Sequence, residues 1–151
     1  MANTQAMCTS FKGELLVGHH NFGTGVTRGS TAADTFKAAL YLASATVNST
    51  TTAYSATNEV SGTGYTAGGV TATFGTAPST SGTTAFVTPS ASIAYTTVTL
   101  STAFDAVLIY NSTQSNKAVS VHTFGSQTVT AGTFTLTMPV NDASTGLIRL
   151  A

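Results

Sequence analysis

The chain has 151 residues and a mass of 15.2 kDa, which suits one domain and is too short for two full ones. Five basic and five acidic residues cancel, and charged residues make up 7% of the chain, against about 25% in an average protein. This neutral composition predicts no electrostatic surface for nucleic acid and none for an anionic membrane. We also expect no transmembrane helix and no signal peptide, because the chain has no long apolar run and begins without a basic and an apolar region.

The first 33 residues differ from the rest because they lack a β pattern. Residues 1–9 are small and polar, and we expect a flexible arm there. Residues 21–33 are typical of a loop. The segment 10–20 between them is the best helix candidate, since its large side chains recur at near-helical spacing: Phe11, Leu15, Leu16 and His19. The expected organisation is an N-terminal arm with a short helix and a loop over 1–33, followed by a β-sandwich domain over 34–151.

From residue 34 onward, apolar and polar residues alternate with the period of β-strands. Segment 104–111 is apolar on both sides, which predicts a central strand buried on both faces. Segments 127–131 and 133–140 predict a hairpin that turns at Ala131-Gly132. The other strand candidates are 35–42, 70–74, 84–88, 96–101, 117–124 and 146–151.

These short strands with frequent turn signals are typical of a β-sandwich, a jelly roll or a small barrel. We predict an all-β fold, a single-domain antiparallel β-sandwich that is jelly-roll-like and has a short N-terminal helix or arm. About a third of the residues are Thr or Ser. Thr suits such strands because its β-branch fits the pleat while its hydroxyl suits solvent.

Residues 43–69 are rich in Ser, Thr and Gly, and four glycines lie between Gly62 and Gly69. We predict an ordered surface loop, because Tyr54, Val60 and Tyr65 can anchor it. Its glycines are expected to permit positive φ angles. The segment does not resemble a phosphate-binding loop, since no Lys-Ser/Thr pair follows the glycines.

No combination of residues points to catalysis or to a bound metal. His19 and His20 are adjacent, so on a helix they would point about 100° apart, and His122 lies in a predicted strand. The single cysteine, Cys8, leaves no intramolecular disulfide and no cysteine-based zinc site. The five acidic residues are far apart in sequence, and no GxSxG motif is present. We therefore predict that the protein is not an enzyme and has no catalytic, cofactor-binding or metal site and no cofactor.

Several segments share the pattern of one protein family: SFKGELL (10–16), TFKAALY (35–41), TAYSATNEVSGTGYTAGG (52–69), VLIYNSTQSNKAV (107–119) and DASTGLIRLA (142–151). The chain resembles small structural proteins of tailed bacteriophages over nearly its whole length from residue 10. The combination of the NEVSGTGYTAGG loop with the IYNSTQSNKA turn is the most specific part. The resemblance implies a virion-associated protein, with head decoration or cement as its role, and it implies no catalytic residues.

The leading hypothesis is a capsid decoration or cement protein that binds the outer face of the head shell and stabilises it. Its expected partners are further copies of itself, as a homo-oligomer with a trimer favoured, and the major capsid protein. It would be made in the host cytoplasm and lie on the capsid exterior of the virion. The alternative is a tail- or fibre-associated adhesin that contacts host surface glycans, and a virion-borne hydrolase is the least favoured hypothesis.

The contact with the shell is expected to be largely neutral, because ten charges cannot supply an interface dominated by salt bridges. The candidate interface residues lie in the N-terminal segment and in the long loop: Phe11, Leu15, Leu16, Val60 and Tyr65. A competing interpretation is that the three N-terminal residues cover the domain's own sheet.

Overall fold

In the computed structural model, the described part of the chain contains eight β-strands that form two antiparallel sheets. The structure describes residues 3–8, 11, 19–20, 22–24, 33–82 and 84–150. In chain order the strands are β1 (Ala6–Met7), β2 (Phe36–Leu42), β3 (Val70–Ala72), β4 (Ser79–Ser81), β5 (Thr84–Val87), β6 (Ile93–Asn111), β7 (Lys117–Leu136) and β8 (Ile148–Leu150). The larger sheet has the order β1-β7-β6-β2-β3 and the smaller one β4-β5-β8. The sheets pack against each other, so the predicted all-β sandwich is confirmed.

The core of the larger sheet is the pairing of β2 with the second half of β6. The register runs from Phe36 opposite Asn111 to Leu42 opposite Phe104. This half of β6 is buried on both faces, as its apolar residues on both sides predict. On one face, Tyr54 of the 43–69 segment stacks on Tyr110. On the other, Phe22 stacks on Phe36 and lines one cavity together with Phe86 and Ile148 of the smaller sheet.

The structure corrects the prediction of several short strands in the second half of the chain. Segments 96–101 and 104–111 belong to one strand, β6, and the segments from 117 to 136 belong to β7. The predicted hairpin at Ala131-Gly132 is wrong, because the chain continues through this point alongside β6. Ala131 has a φ of 45°, and the register between β6 and β7 shifts next to it. A β-bulge, in which one strand contributes an extra residue, explains the turn-like sequence without a reversal of the chain.

The N-terminal segment is part of the sandwich where the structure describes it. Ala6 and Met7 form β1 and pair with Val121 and Ser120 of β7, so the expected flexible arm is wrong for residues 3–8. The Cys8 side chain is fully buried rather than mobile. The predicted helix at 10–20 lies outside the described residues except for its positions 11, 19 and 20.

Phe22 joins the N-terminal segment to the core through ring contacts. Its ring stacks on Phe36 of β2 with 4.6 Å between centroids, and it meets Phe74 edge-on at 5.0 Å. Phe11, which is fully buried, meets the same ring edge-on with 5.9 Å between centroids. Aromatic pairs at these separations add about 0.5–1.5 kcal/mol each beyond the burial of their area. The hydrophobic core therefore continues into the residues before β2.

Replacing Phe22 with alanine is expected to lower the free energy of unfolding by about 3–5 kcal/mol, because the ring fills the space between three buried phenylalanines. Urea unfolding followed by tyrosine fluorescence measures the loss. The matched control is Val140→Ala, since Val140 is 71% exposed and its truncation leaves no cavity. Equal stability of the two variants would contradict the placement of the N-terminal segment in the core.

Candidate functional site

The long segment between β2 and β3 is organised around the buried carboxylate of Glu59, whose side chain is 8% exposed. One carboxylate oxygen accepts a hydrogen bond from the Tyr54 hydroxyl at 2.6 Å. The other accepts from the Tyr65 hydroxyl at 2.7 Å and from the backbone N–H of Gly68 at 2.7 Å. Bonds to a charged acceptor each contribute about 1.5–3 kcal/mol, and together they compensate the loss of water around the carboxylate.

All five tyrosines of the chain lie in this part of the structure. Tyr54 stacks on Tyr110 of β6 with 4.7 Å between ring centroids, and Tyr65 stacks on Tyr95 at 6.0 Å. The rings of the loop therefore rest on rings of the sheet, and the hydroxyl groups at their ends reach polar partners. We call Glu59 and the five tyrosines, including Tyr41 of β2, the tyrosine cluster.

The hydroxyls of the sheet tyrosines bind backbone carbonyls. Tyr41 donates to Ser55 O at 2.5 Å, Tyr95 to Ala38 O at 2.8 Å and Tyr110 to Gly68 O at 2.8 Å. Two of these three carbonyls, those of Ser55 and Gly68, belong to the loop. The sheet tyrosines therefore donate hydrogen bonds to the loop, in addition to the stacking of loop rings on sheet rings. A buried phenol with a hydrogen-bond partner contributes both its apolar area and its polar tip.

Burial keeps the phenols protonated. It raises the pKa of Tyr41 to about 12, and the negative charge of Glu59 adds to the same effect. Burial likewise raises the pKa of Tyr54, Tyr65, Tyr95 and Tyr110, with the charge of Glu59 contributing in each case. The five hydroxyls therefore remain hydrogen-bond donors across the physiological pH range, which suits a structural role.

Glycine backbone brings the end of the loop against the sheet. Gly68 and Gly69 have φ angles of 88° and 71°. A Cβ atom on Gly69 would lie 1.7 Å from Ala38 O of β2, which no side chain tolerates. The prediction that these glycines permit positive φ in an ordered loop is confirmed.

The structure separates the five predicted interface residues. Phe11 and Val60 are buried inside the chain, with 0% and 3% exposure, and Tyr65 is half-buried with its hydroxyl on Glu59. Leu15 and Leu16 lie outside the described residues. A side chain that is buried within its own chain cannot contact a neighbouring protein. For the other groups of the N-terminal segment and of the 43–69 loop, the contact with the shell stays a prediction.

The histidines lie in two separate environments. His20 is buried, and its Nδ1 lies 3.2 Å from the Asn111 amide nitrogen, which also donates to Asp34 at 2.7 Å. His122 of β7 has its Nε2 2.9 Å from the Ser120 hydroxyl. Within the described ranges, no group of three or more His, Cys, Asp or Glu side chains could hold a metal ion. The same ranges contain no helix with the length and apolar character needed to cross a membrane.

His122 borders a cavity of about 140 Å³, which is otherwise lined mainly by aliphatic and aromatic side chains such as Val107, Ile109 and Phe124. This burial lowers the pKa of the imidazole to about 4. The ring is therefore neutral at pH 7.

A larger cavity of about 420 Å³ is neutral. Its lining combines hydroxyls, an amide, prolines and apolar groups: Thr76, Thr88, Pro89, Ser90, Ala91, Ser92, Met138, Pro139 and Asn141. Such a lining offers hydrogen bonds and apolar contact but no acid, base or nucleophile with an activating partner.

Comparison with protein-family models, with curated proteins and with solved structures finds no match of this chain in any of the three. The functional conclusion therefore depends on the residues and geometry of this chain.

Sequence reasoning identified the anchors of the loop but missed the residue that they bind. In the sequence Glu59 is one of five scattered acids. Its position between Tyr54 and Tyr65, in a segment without any other charged residue, was the available signal. Within this segment an acid can accept only from uncharged donors, which are hydroxyls, side-chain amides and backbone N–H groups.

Replacing Tyr54 or Tyr65 with phenylalanine is expected to cost about 1.5–3 kcal/mol of unfolding free energy, because each variant leaves a buried carboxylate oxygen with one donor fewer. Tyr41→Phe is the matched control, since it removes a bond to a neutral carbonyl and should cost about 0.5–1.5 kcal/mol. Chemical denaturation of the three variants measures the difference. Equal losses would show that the charge of Glu59 does not organise the cluster.

Acid is expected to weaken the fold through His122. Because the pKa of the folded imidazole is about 4, below the ordinary 6.5, the unfolded chain binds the proton first as the pH falls. The contribution of this residue is full above pH 6.5 and is lost toward pH 4, by up to about 3 kcal/mol. Urea unfolding at pH 7 and pH 4.5 should show a smaller acid loss for His122→Gln than for the wild type. An unchanged acid loss in the variant would contradict this assignment.

Proposed function

We propose that the protein is a structural component of a tailed-phage virion, most simply a capsid decoration or cement protein. It would bind the outer face of the head shell, contact the major capsid protein and stabilise the particle. It would work as a homo-oligomer. Its role would be to pack against neighbouring proteins of the particle and not to catalyse a reaction.

The observation that most supports this proposal is the tyrosine cluster. It fastens a long Ser-, Thr- and Gly-rich segment to the sheet through buried hydrogen bonds to Glu59 and through stacked rings. Proteins that turn over substrates usually keep their functional loops at the low-stability end of the structure. A loop that is fixed in this way presents a preformed neutral surface, which suits repeated contact on a particle.

The composition supports the same proposal from another direction. Net charge is zero and charged residues are 7% of the chain, so no long-range repulsion separates copies at high local density. A surface of hydroxyls and small side chains can pack against neighbours by shape and hydrogen bonding. The resemblance to phage structural proteins in the sequence is consistent with both observations.

Copy number in purified particles tests the proposal. A decoration protein is expected at on the order of hundreds of copies per particle, because an icosahedral shell repeats each binding position many times. Quantitative mass spectrometry against the major capsid protein measures the ratio. A few copies to a few dozen would instead favour the tail- or fibre-associated adhesin, and absence from the particle would overturn the proposed function.

Binding to shells that lack the protein should depend weakly on salt. The affinity is expected to change by less than about tenfold between about 50 mM and 500 mM NaCl, because few ion pairs are available for screening. Co-sedimentation with bare shells at several salt concentrations measures this. A loss of several orders of magnitude would show a charge-driven contact and contradict the neutral interface.

A further inference from the structure

The two long strands of the β6–β7 hairpin have outer edges that differ. The outer edge of β6 is covered in both halves: β2 pairs with residues 104–111, and the 43–69 segment bridges to Thr99 in the first half. There the Thr99 N–H donates to Thr63 O at 2.9 Å. Gly62 lies so close that a Cβ atom on it would be 2.2 Å from Thr99 O. The chain thus protects one edge with its own loop.

Among the residues that the structure describes, cover on the outer edge of β7 lies only near its start. The Ala118 N–H donates to Thr52 O at 3.0 Å, the Cys8 N–H donates to Val119 O at 3.1 Å, and β1 pairs with the next two residues. From His122 to Leu136, none of the residues that the structure describes pairs with this side of the strand. We call this stretch the β7 edge.

The β7 edge lacks the side chains that normally prevent strand addition. Native sheets protect their edges with charged residues, prolines, bulges or covering segments. The sequence from 118 to 141 contains no Asp, Glu, Lys or Arg, and His122–Leu136 contains no proline. His122 is neutral at pH 7, because burial lowers its pKa. The protection that remains is irregular pairing with β6, such as the bulge at Ala131.

Apolar side chains reach this edge from the core. Phe124, Val129 and Phe134 are only half-buried, although they pack against the hydrophobic core. The rings of Phe124 and Phe134 lie 5.1 Å apart. The opposite face of the strand carries exposed threonines on both sides of the bulge, including Thr130 and Thr135. A strand added at this edge would cover the apolar rim and place hydroxyls beside the threonines.

We propose that the β7 edge is the self-association surface of the protein, and that its occupant is the β7 edge of a second copy, paired antiparallel across a two-fold axis. The larger sheet then continues from one copy into the other. Two identical antiparallel strands are self-complementary in length and composition, and neither brings a charge that would repel the other. Facing threonines form favourable cross-strand pairs. The proposal rests on the self-association part of the proposed function and not on the particle, and it replaces the trimer favoured by the sequence with a two-fold pair.

Charge introduced at the edge should separate the copies. The test variant carries Thr130→Lys and Thr135→Lys, which place like charges next to the partner strand. The control carries Thr96→Lys and Thr102→Lys, at exposed positions of β6, one strand farther from the partner. Sedimentation velocity from about 1 to 100 μM should show dimers for the wild type and the control and at least a tenfold weaker association for the test variant. A monomeric wild type, or equal association of both variants, would overturn the proposal.

A cysteine scan provides a second readout that does not depend on charge or on the fold of the lysine variant. In a Cys8→Ser background, single cysteines are placed at Thr128, Thr130, Thr133 and Thr135. A two-fold antiparallel pair brings one of these positions, or its immediate neighbour, close to its own symmetry mate, within the 4.4–6.8 Å that a disulfide spans between Cα atoms. Oxidation should give a disulfide dimer that peaks at one position and is absent at Thr96→Cys. Equal or no crosslinking along the edge would contradict the proposal.

The tests of the β7 edge can fail or succeed independently of the test of the proposed function. High copy number on particles combined with failure of both edge tests would leave the virion role and overturn the β7 pairing. Two-fold pairing in solution combined with absence from particles would do the reverse.

Discussion

The buried carboxylate of Glu59 is the constraint on which the ordered surface of this protein depends. A carboxylate that leaves water needs hydrogen-bond donors in fixed positions. Here the donors come from Tyr54, Tyr65 and Gly68, so the path of the chain over this range is determined by one residue. Tyr65 also accepts the Leu40 N–H of β2 at 3.0 Å, which carries the constraint into the sheet. The loop is therefore as much a part of the fold as the strands.

The same chemistry recurs at the other described acids. Asp105 accepts from the Asn3 amide at 2.6 Å, Asp34 accepts from the Asn111 amide at 2.7 Å, and Asp142 accepts from the backbone N–H groups of Ser144 and Thr145. In each of these bonds the donor is a neutral amide. The bonds of Asp105 and Asp34 join residues far apart in sequence, and those of Asp142 stabilise a turn. In other proteins ion pairs often take these positions. Bonds to neutral donors that are partly buried are screened little by salt, so this design suits a protein with few charges.

The sequence predicted the class of the fold and the anchors of the loop, because both depend on periodicity and on large side chains. Alternation identified β2 and the buried half of β6, and Tyr54, Val60 and Tyr65 were recognised as anchors. The long hairpin was missed because Thr97 and Ala131 adopt positive φ inside strands, and neither residue type signals this conformation. β1 was missed because a strand of two residues is too short to show a period. The role of Glu59 depends on contacts that only the fold creates.

The outer edges of the β6–β7 hairpin differ in cover because the 43–69 segment lies beside β6 and not beside the second part of β7. The 43–69 segment has glycines that allow close approach and an acid that fixes it, so it can cover β6. Among the described residues, nothing comparable covers β7 beyond Val121. Up to Val121 the covering elements are the short β1 and the loop at Thr52. A neutral, Thr-rich strand remains soluble through its hydroxyls, yet its backbone groups still favour a partner that is equally neutral. The scarcity of charge that makes the fold rely on buried hydroxyls is thus the same property that leaves this edge open to another copy.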